Sequence, residues 1–105
     1  MTGTQSQIEW AEQIKPRVGA EFDRVEHALA AIAARQKADA RALTEATIAI
    51  LHEKKAEVMA KDQAGYFIKE WQELTDQVRQ MLWRDPRYQE IRNNRITTSV
   101  RTNQL

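Results

Sequence analysis

The sequence predicts an all-α fold built from a long helical hairpin, a third amphipathic helix and a short C-terminal helix. Two features of the composition favour this class: the 105 residues include only 3 glycines and 2 prolines, and 30% of them are charged. Turn-rich β architectures and collagen-like chains use far more glycine and proline. The third observation is the spacing of the apolar residues, which follows the helical period along most of the chain.

The composition also excludes several kinds of protein. The chain has no cysteine, so it can form neither a disulfide nor a cysteine-ligated metal site. No apolar run approaches the roughly 18 residues of a membrane span, and the N-terminus lacks the apolar core of a signal peptide. We therefore expect a soluble, cytoplasmic protein without a membrane partner. Its length fits one domain, predicted over residues 1–94, with a frayed tail at residues 95–105.

The first helix is predicted to begin at a capping box formed by Thr4 and Gln7, in which each side chain accepts a hydrogen bond from the backbone N–H of the other. Pro16 then interrupts the pattern, because proline lacks the N–H that a helical hydrogen bond requires. It could begin a second helix or kink a continuous one. The apolar spacing of Ile14, Val18 and Phe22 continues without a phase slip, which favours the kink.

The clearest pattern is a narrow apolar seam, whose members are Val18, Phe22, Val25, Leu29 and Ile32. Their alternating spacing of four and three residues is typical of coiled-coil contacts, and we expect Phe22 and Leu29 to be buried. A seam this narrow buries little surface in one copy. It therefore predicts a homo-oligomer, with a dimer favoured, that self-associates through these residues. A self-sufficient three-helix bundle is the alternative.

Breaks in the apolar pattern place the later helices. The pattern fades at residues 37–40, where Asp39 could cap a second helix that ends near residue 61, although one continuous helix is also compatible with this segment. A third helix is predicted over about residues 63–84. Asp85-Pro86 then supplies a typical N-cap and first helical residue, which predicts a short helix to about residue 94.

The sequence shows no catalytic or cofactor-binding motif. It lacks a cysteine nucleophile and a Gly-x-Ser-x-Gly pattern, and three glycines are too few for a phosphate-binding loop. A hairpin that turned near Asp39 would bring His27 and His52 to one level, which suggests a metal site. However, His27 lies off the seam, and neither histidine has a carboxylate at the spacing that di-iron bundles use. We therefore predict neither an enzyme nor a bound metal or cofactor.

Positive charge is concentrated at the C-terminal end. Residues 79–105 carry 6 arginines against 2 acidic residues, whereas residues 1–78 carry a net charge of −3. Aromatic residues lie among these arginines, a composition typical of surfaces that bind other macromolecules. The predicted partner-binding residues are Trp83, Arg84, Arg87, Tyr88, Arg92 and Arg95.

Two functions are compatible with this surface. The first, which we favour, is a non-enzymatic, self-associating module that binds a protein partner. The alternative is a nucleic-acid-binding helical protein, such as a small subunit of a nucleoprotein assembly, that uses the C-terminal arginines. Binding to phosphates releases counterions, so a steep dependence of affinity on salt would identify the second function.

The N-terminal segment TGTQSQIEWAEQIK resembles the start of a loose group of bacterial and phage helical proteins of unknown function. In that group a Gly-Ser/Thr pair is followed by a glutamine, an apolar residue, Trp-Ala and Ile-Arg/Lys. The matching residues are Gly3, Thr4, Gln7, Ile8, Trp10, Ala11, Glu12, Ile14 and Lys15. Pro16 departs from the pattern. The resemblance implies no activity, but it implies a mobile-element context, in which an accessory protein that binds a host complex is one expected role.

Overall fold

The computed structural model describes residues 1–94, and its architecture is all-α, as the sequence predicts. Within these residues lie the helices α1 (Gln5–Ala33), α2 (Ala38–Met59), α3 (Ala64–Glu70), α4 (Leu74–Arg84) and α5 (86–94). The long helices α1 and α2 form the predicted hairpin, and α3 and α4 pack mainly on α1. The predicted frayed tail at residues 95–105 lies outside the described residues.

The predicted capping box begins α1. The Thr4 hydroxyl accepts a hydrogen bond from the Gln7 backbone N–H at 3.2 Å, and the Gln7 side-chain oxygen accepts one from the Thr4 N–H at 3.0 Å. Pro16 lies inside α1 and does not end it. The continuous helix follows from burial on both sides of the proline, since Ala11 and Val18 are each fully buried. This packing offsets the helical hydrogen bond that proline removes.

The chain reverses at residues 34–37, which confirms the break predicted near residues 37–40. Arg41 stabilises the turn from α2. Its Nε donates a hydrogen bond to the Ala33 carbonyl at 3.0 Å, and its Nη2 donates one to the Gln36 carbonyl at 3.3 Å. Carbonyls at the end of a helix lack helical partners, so this side chain satisfies groups that would otherwise need water.

Asp39 does not cap α2, contrary to the sequence prediction. The helix begins at Ala38, so Lys37 is the N-cap, and it makes no side-chain hydrogen bond. Asp39 instead lies in the first turn of α2, where the positive end of the helix dipole favours a carboxylate.

Two contacts between side chains of α1 and α2 mark the register of the hairpin. His52 Nε2 lies 2.6 Å from Glu26 Oε1, and Lys55 Nζ donates a hydrogen bond to Asp23 Oδ1 at 2.6 Å. The Lys55 ammonium, chiefly through this hydrogen bond, lowers the pKa of the Asp23 carboxyl. Glu26, rather than His27, therefore faces His52, and His27 is exposed.

The prediction of a single third helix over residues 63–84 is wrong, because the helix breaks at Trp71 into α3 and α4. The Trp71 N–H donates to the Phe67 carbonyl at 3.2 Å and closes α3. The Trp71 side chain is only 3% exposed, and its ring centre lies 5.8 Å from that of Phe22. Burying this indole stabilises the fold by more than the helical hydrogen bonds lost at the exposed residues that follow, where water replaces them.

The core lies between the hairpin and the α3–α4 pair. Its largest fully buried side chains are Phe22, Phe67, Leu51, Val18, Val58, Val78 and Thr44. The predicted seam contributes unevenly to it: Val18 and Phe22 are buried, Val25 and Leu29 are partly buried, and Ile32 is 49% exposed. Leu29, which the sequence predicts to be largely buried, is less buried than Phe22, because the core narrows towards the hairpin turn and Ala33 is the only buried residue of α1 beyond Phe22.

The molecule is elongated, with dimensions of 62 × 23 × 19 Å. None of the helices within residues 1–94 combines the length and the hydrophobicity that crossing a bilayer requires.

Candidate interaction surface

Trp83 is an exposed aromatic residue near the C-terminal end of α4. Its side chain is 54% exposed, although tryptophan is highly buried on average. Two residues of α5 lie beside it. The guanidinium carbon of Arg92 is 4.1 Å from the centre of the Trp83 ring, and the ring centre of Tyr88 is 6.5 Å away. These three residues form a surface that we call the Trp83 patch.

A corner between α4 and α5 brings the patch together. Oδ1 of Asp85 accepts a hydrogen bond from the Arg87 backbone N–H at 2.8 Å, so Asp85 is the N-cap that the sequence predicts. Pro86 follows as the first residue of α5, where its missing N–H costs nothing. Gln89 Nε2 donates a hydrogen bond to the Trp83 carbonyl at 2.6 Å. The end of α4 and the start of α5 are therefore fixed relative to each other.

Asp85 is a buried carboxylate with two cationic partners. Its Oδ2 lies 2.9 Å from Arg87 Nη2 and 3.1 Å from Lys54 Nζ. The hydrogen bond from the Arg87 side chain, supported by Lys54, holds the pKa of Asp85 far below its usual value of 3.8, although burial opposes this shift. Hydrogen bonds to Asp85 and then to Glu53 raise the pKa of Arg87. The network ties α5 to α2.

Two further arginines, Arg84 and Arg92, form no ion pair that would neutralise their charge within the described residues. Arg84 donates one hydrogen bond to the Gln80 side-chain oxygen at 3.2 Å. The ion pairs found within residues 1–94 include neither Arg84 nor Arg92. The contact of Arg92 with the Trp83 ring is a cation–π contact, so it leaves the guanidinium N–H groups free to bind a carboxylate or a phosphate.

The structure brings together three of the six residues that the sequence predicts for partner binding: Trp83, Tyr88 and Arg92. Arg84 follows Trp83 in α4, and its side chain contacts Gln80. The structure does not bring Arg87 to the patch. The Arg87 guanidinium is engaged with Asp85 and Glu53, so its role within the chain is structural. Arg95 lies outside the described residues.

The predicted self-association residues are largely used within the chain. Val18 and Phe22 belong to its own core, and Val25 and Leu29 pack partly against that core. Ile32, with 49% of its surface exposed, is the most exposed member of the seam.

A concave surface, distinct from the Trp83 patch, lies between α1 and the junction of α3 with α4. This groove has a volume of about 290 Å³, and Trp10 and Trp71 are among its lining residues. One sign of it is present in the sequence, where Trp10 falls off the apolar stripe of α1. The opposite wall could not be predicted, because it exists only where the chain breaks after α3.

Among residues 1–94, no three histidine or acidic side chains lie close enough together to hold a metal ion. His52 pairs with Glu26, and His27 is exposed.

No family model, curated protein or solved structure matches this chain. The resemblance of residues 3–15 to bacterial and phage proteins therefore stays a prediction. The chemistry of the described surface is therefore the basis for proposing a function.

Proposed function

We propose that this protein is a non-enzymatic binding module that docks a protein partner on the Trp83 patch. The observation that carries the proposal is the exposure of Trp83, at 54%, beside an arginine held 4.1 Å from its ring. Tryptophan, tyrosine and arginine are the residue types that contribute most binding energy at protein interfaces. All three are adjacent here.

Rigidity supports the same proposal. Ordering a flexible side chain on binding costs about 0.5–1.5 kcal/mol, and the patch avoids part of this cost. Arg92 already lies on the Trp83 ring, and Gln89 and Asp85 fix the corner from which both side chains project. A partner would therefore meet a surface whose aromatic and cationic groups are held in place before binding.

Nucleic-acid binding is the second candidate, and Arg92 on the Trp83 ring favours it as well, because bases stack on aromatic side chains beside cations. Among the described arginines of this end, however, Arg87 is paired with Asp85 and Glu53, and Arg92 is the cation of the patch. Nucleic-acid binding usually relies on many more phosphate contacts, so the protein partner is the better-supported proposal.

We also propose that the protein self-associates, but through Ile32 near the hairpin turn rather than through the whole seam. The elongated shape leaves much of the hairpin without a third layer, and Ile32 exposes 49% of its surface there. Burying Ile32 against a second copy would remove an apolar side chain from water. The resemblance of the N-terminal segment is our reason for proposing a host complex as the first partner to look for.

Affinity capture from an extract of the source cells tests the proposal. The extract is treated with nuclease, and the proteins retained by the wild type are compared with those retained by Trp83→Ala. We expect a protein that the wild type retains after nuclease treatment and that the variant loses. Equal retention by both proteins contradicts the proposal, and loss of all retained material on nuclease treatment supports the nucleic-acid alternative instead.

A further inference from the structure

The groove between α1 and the α3–α4 junction is separate from the Trp83 patch. We call it the Trp10 groove. Its apolar walls are Trp10, Ile14, Ile68, Trp71 and Leu74, and Arg17 also lines it. The walls come from three helices and from the break between two of them, so the groove is a consequence of the tertiary fold.

The groove leaves a large apolar side chain in water. Trp10 is 58% exposed, the largest value among the exposed large hydrophobic residues of the described chain. Ile14, Ile68 and Leu74 beside it are only partly buried. An apolar side chain that entered the groove would remove surface of all four residues from water, which stabilises binding by about 25 cal/mol for each Å² buried.

Trp71 forms the buried wall of the groove. Its side chain is only 3% exposed, and its ring packs against that of Phe22. A bound apolar group would therefore meet a wall that the core holds in place.

Arg17 supplies the charge of the groove. Its side chain is exposed, and the ion pairs and side-chain hydrogen bonds within residues 1–94 do not include it. The other polar group at the groove is the neutral amide of Gln72. The charge complementary to this site is therefore negative, and a carboxylate is the anion that a guanidinium binds best among protein side chains.

We infer that the Trp10 groove binds a segment of a partner protein that presents a large apolar or aromatic side chain next to a carboxylate. The apolar group packs between Trp10 and Trp71, and the carboxylate pairs with Arg17. Nucleic acid fits this site poorly, since one cation and five apolar walls offer little to a phosphate backbone. The inference does not depend on the Trp83 patch, because the two surfaces share no residue.

Nuclear magnetic resonance of the indole N–H groups tests the inference with a defined probe. The chain has three tryptophans, so the full-length protein gives three indole signals, which single Trp→Phe variants assign. The probe is 3-phenylpropionate, which joins an aromatic ring to a carboxylate. We expect it to shift the signals of Trp10 and Trp71, because its ring lies beside both indoles, while the signal of Trp83 stays in place.

Two comparisons make the result specific. The neutral analogue 3-phenylpropanamide has the same ring, and we expect it to bind several-fold more weakly. Arg17→Gln should weaken binding of 3-phenylpropionate to a similar extent, whereas the matched variant Arg35→Gln should bind as the wild type does. Equal shifts of all three indole signals, or an unmoved Trp71 signal at saturating probe, overturn the inference. So do Trp10 and Trp71 signals that move with protein concentration alone, because a second copy would then occupy the groove.

Discussion

The Asp85 carboxylate accepts two kinds of hydrogen bond from Arg87, one from its backbone N–H at 2.8 Å and others from its guanidinium at 2.9 and 3.1 Å. The first caps α5, and the second holds the Arg87 side chain where it also meets Glu53 of α2. One buried carboxylate thereby sets both the direction in which α5 leaves α4 and the place where it contacts the hairpin. The Trp83 patch depends on this corner.

Asp85→Ala should destabilise the protein by about 1–3 kcal/mol, because it removes a helix cap and leaves two cations without their buried partner. Chemical denaturation measures the loss. Asp39→Ala is the matched control, since Asp39 is exposed and makes no capping hydrogen bond. Its effect should stay within about 0.5 kcal/mol. Equal effects of the two substitutions would show that the corner is not the stabilising element described here.

The depressed pKa of Asp85 predicts a specific loss of stability in acid. A group whose pKa is lower in the folded state contributes stability above its unfolded pKa, here 3.8, and loses that contribution as the pH falls further. The free energy of unfolding of the wild type should therefore fall more steeply below about pH 4 than that of Asp85→Asn. Asp23 and the other carboxylates are common to both proteins and cancel in this comparison. Parallel curves would contradict the prediction.

Much of the fold could be predicted because local signals and packing agree. The capping box at Thr4 and the Asp85-Pro86 restart lie where the sequence places them, and the turn before α2 lies about three residues earlier than predicted. The break at Trp71 could not be predicted, because the apolar residues of 63–84 follow a continuous helical period. The helix ends at Trp71 because the indole is buried against the hairpin, and this contact exists only in the folded chain. Local pattern cannot reveal such a tertiary contact.

Phe22→Ala and Leu29→Ala separate the core from the exposed end of the seam. Phe22 is 1% exposed and its ring meets Trp71, so its removal should cost about 3–5 kcal/mol. Leu29 is only partly buried, so its truncation should cost less than about 2 kcal/mol. Denaturant titrations of both variants give these values. A larger loss for Leu29→Ala than for Phe22→Ala would mean that the seam is buried by something outside this chain, such as a second copy.

Self-association predicts a mass above that of one chain. Sedimentation equilibrium at micromolar concentration should give at least a dimer of the 12.2 kDa protein. Ile32→Glu should shift it to a monomer, because a charge cannot be buried between two copies without a partner. When the wild type is diluted until it is also monomeric, the melting temperature of Ile32→Glu should be close to that of the wild type, since Ile32 is 49% exposed. A wild-type monomer at every concentration would remove self-association from the account.

The composition of the candidate site could be predicted more easily than its geometry. The run of aromatic residues and arginines in the sequence indicates the segment around Trp83, and helical spacing brings Tyr88 and Arg92 to the same side of α5. Arg87 is engaged first by Asp85, two residues earlier, and then by Glu53, which lies 34 residues earlier in the chain. Only the folded hairpin shows that Glu53 is the second partner.

The central claim is that the Trp83 patch binds a protein, and calorimetric titration of the partner recovered by affinity capture tests it most directly. Arg92→Ala removes the guanidinium from the Trp83 ring, and Arg35→Ala removes an exposed arginine near the hairpin turn as the matched control. We predict that Arg92→Ala weakens binding by about tenfold or more, which corresponds to about 1.4 kcal/mol, with an unchanged melting temperature. Arg35→Ala should bind as the wild type does. Wild-type affinity in a folded Arg92→Ala variant would contradict the account.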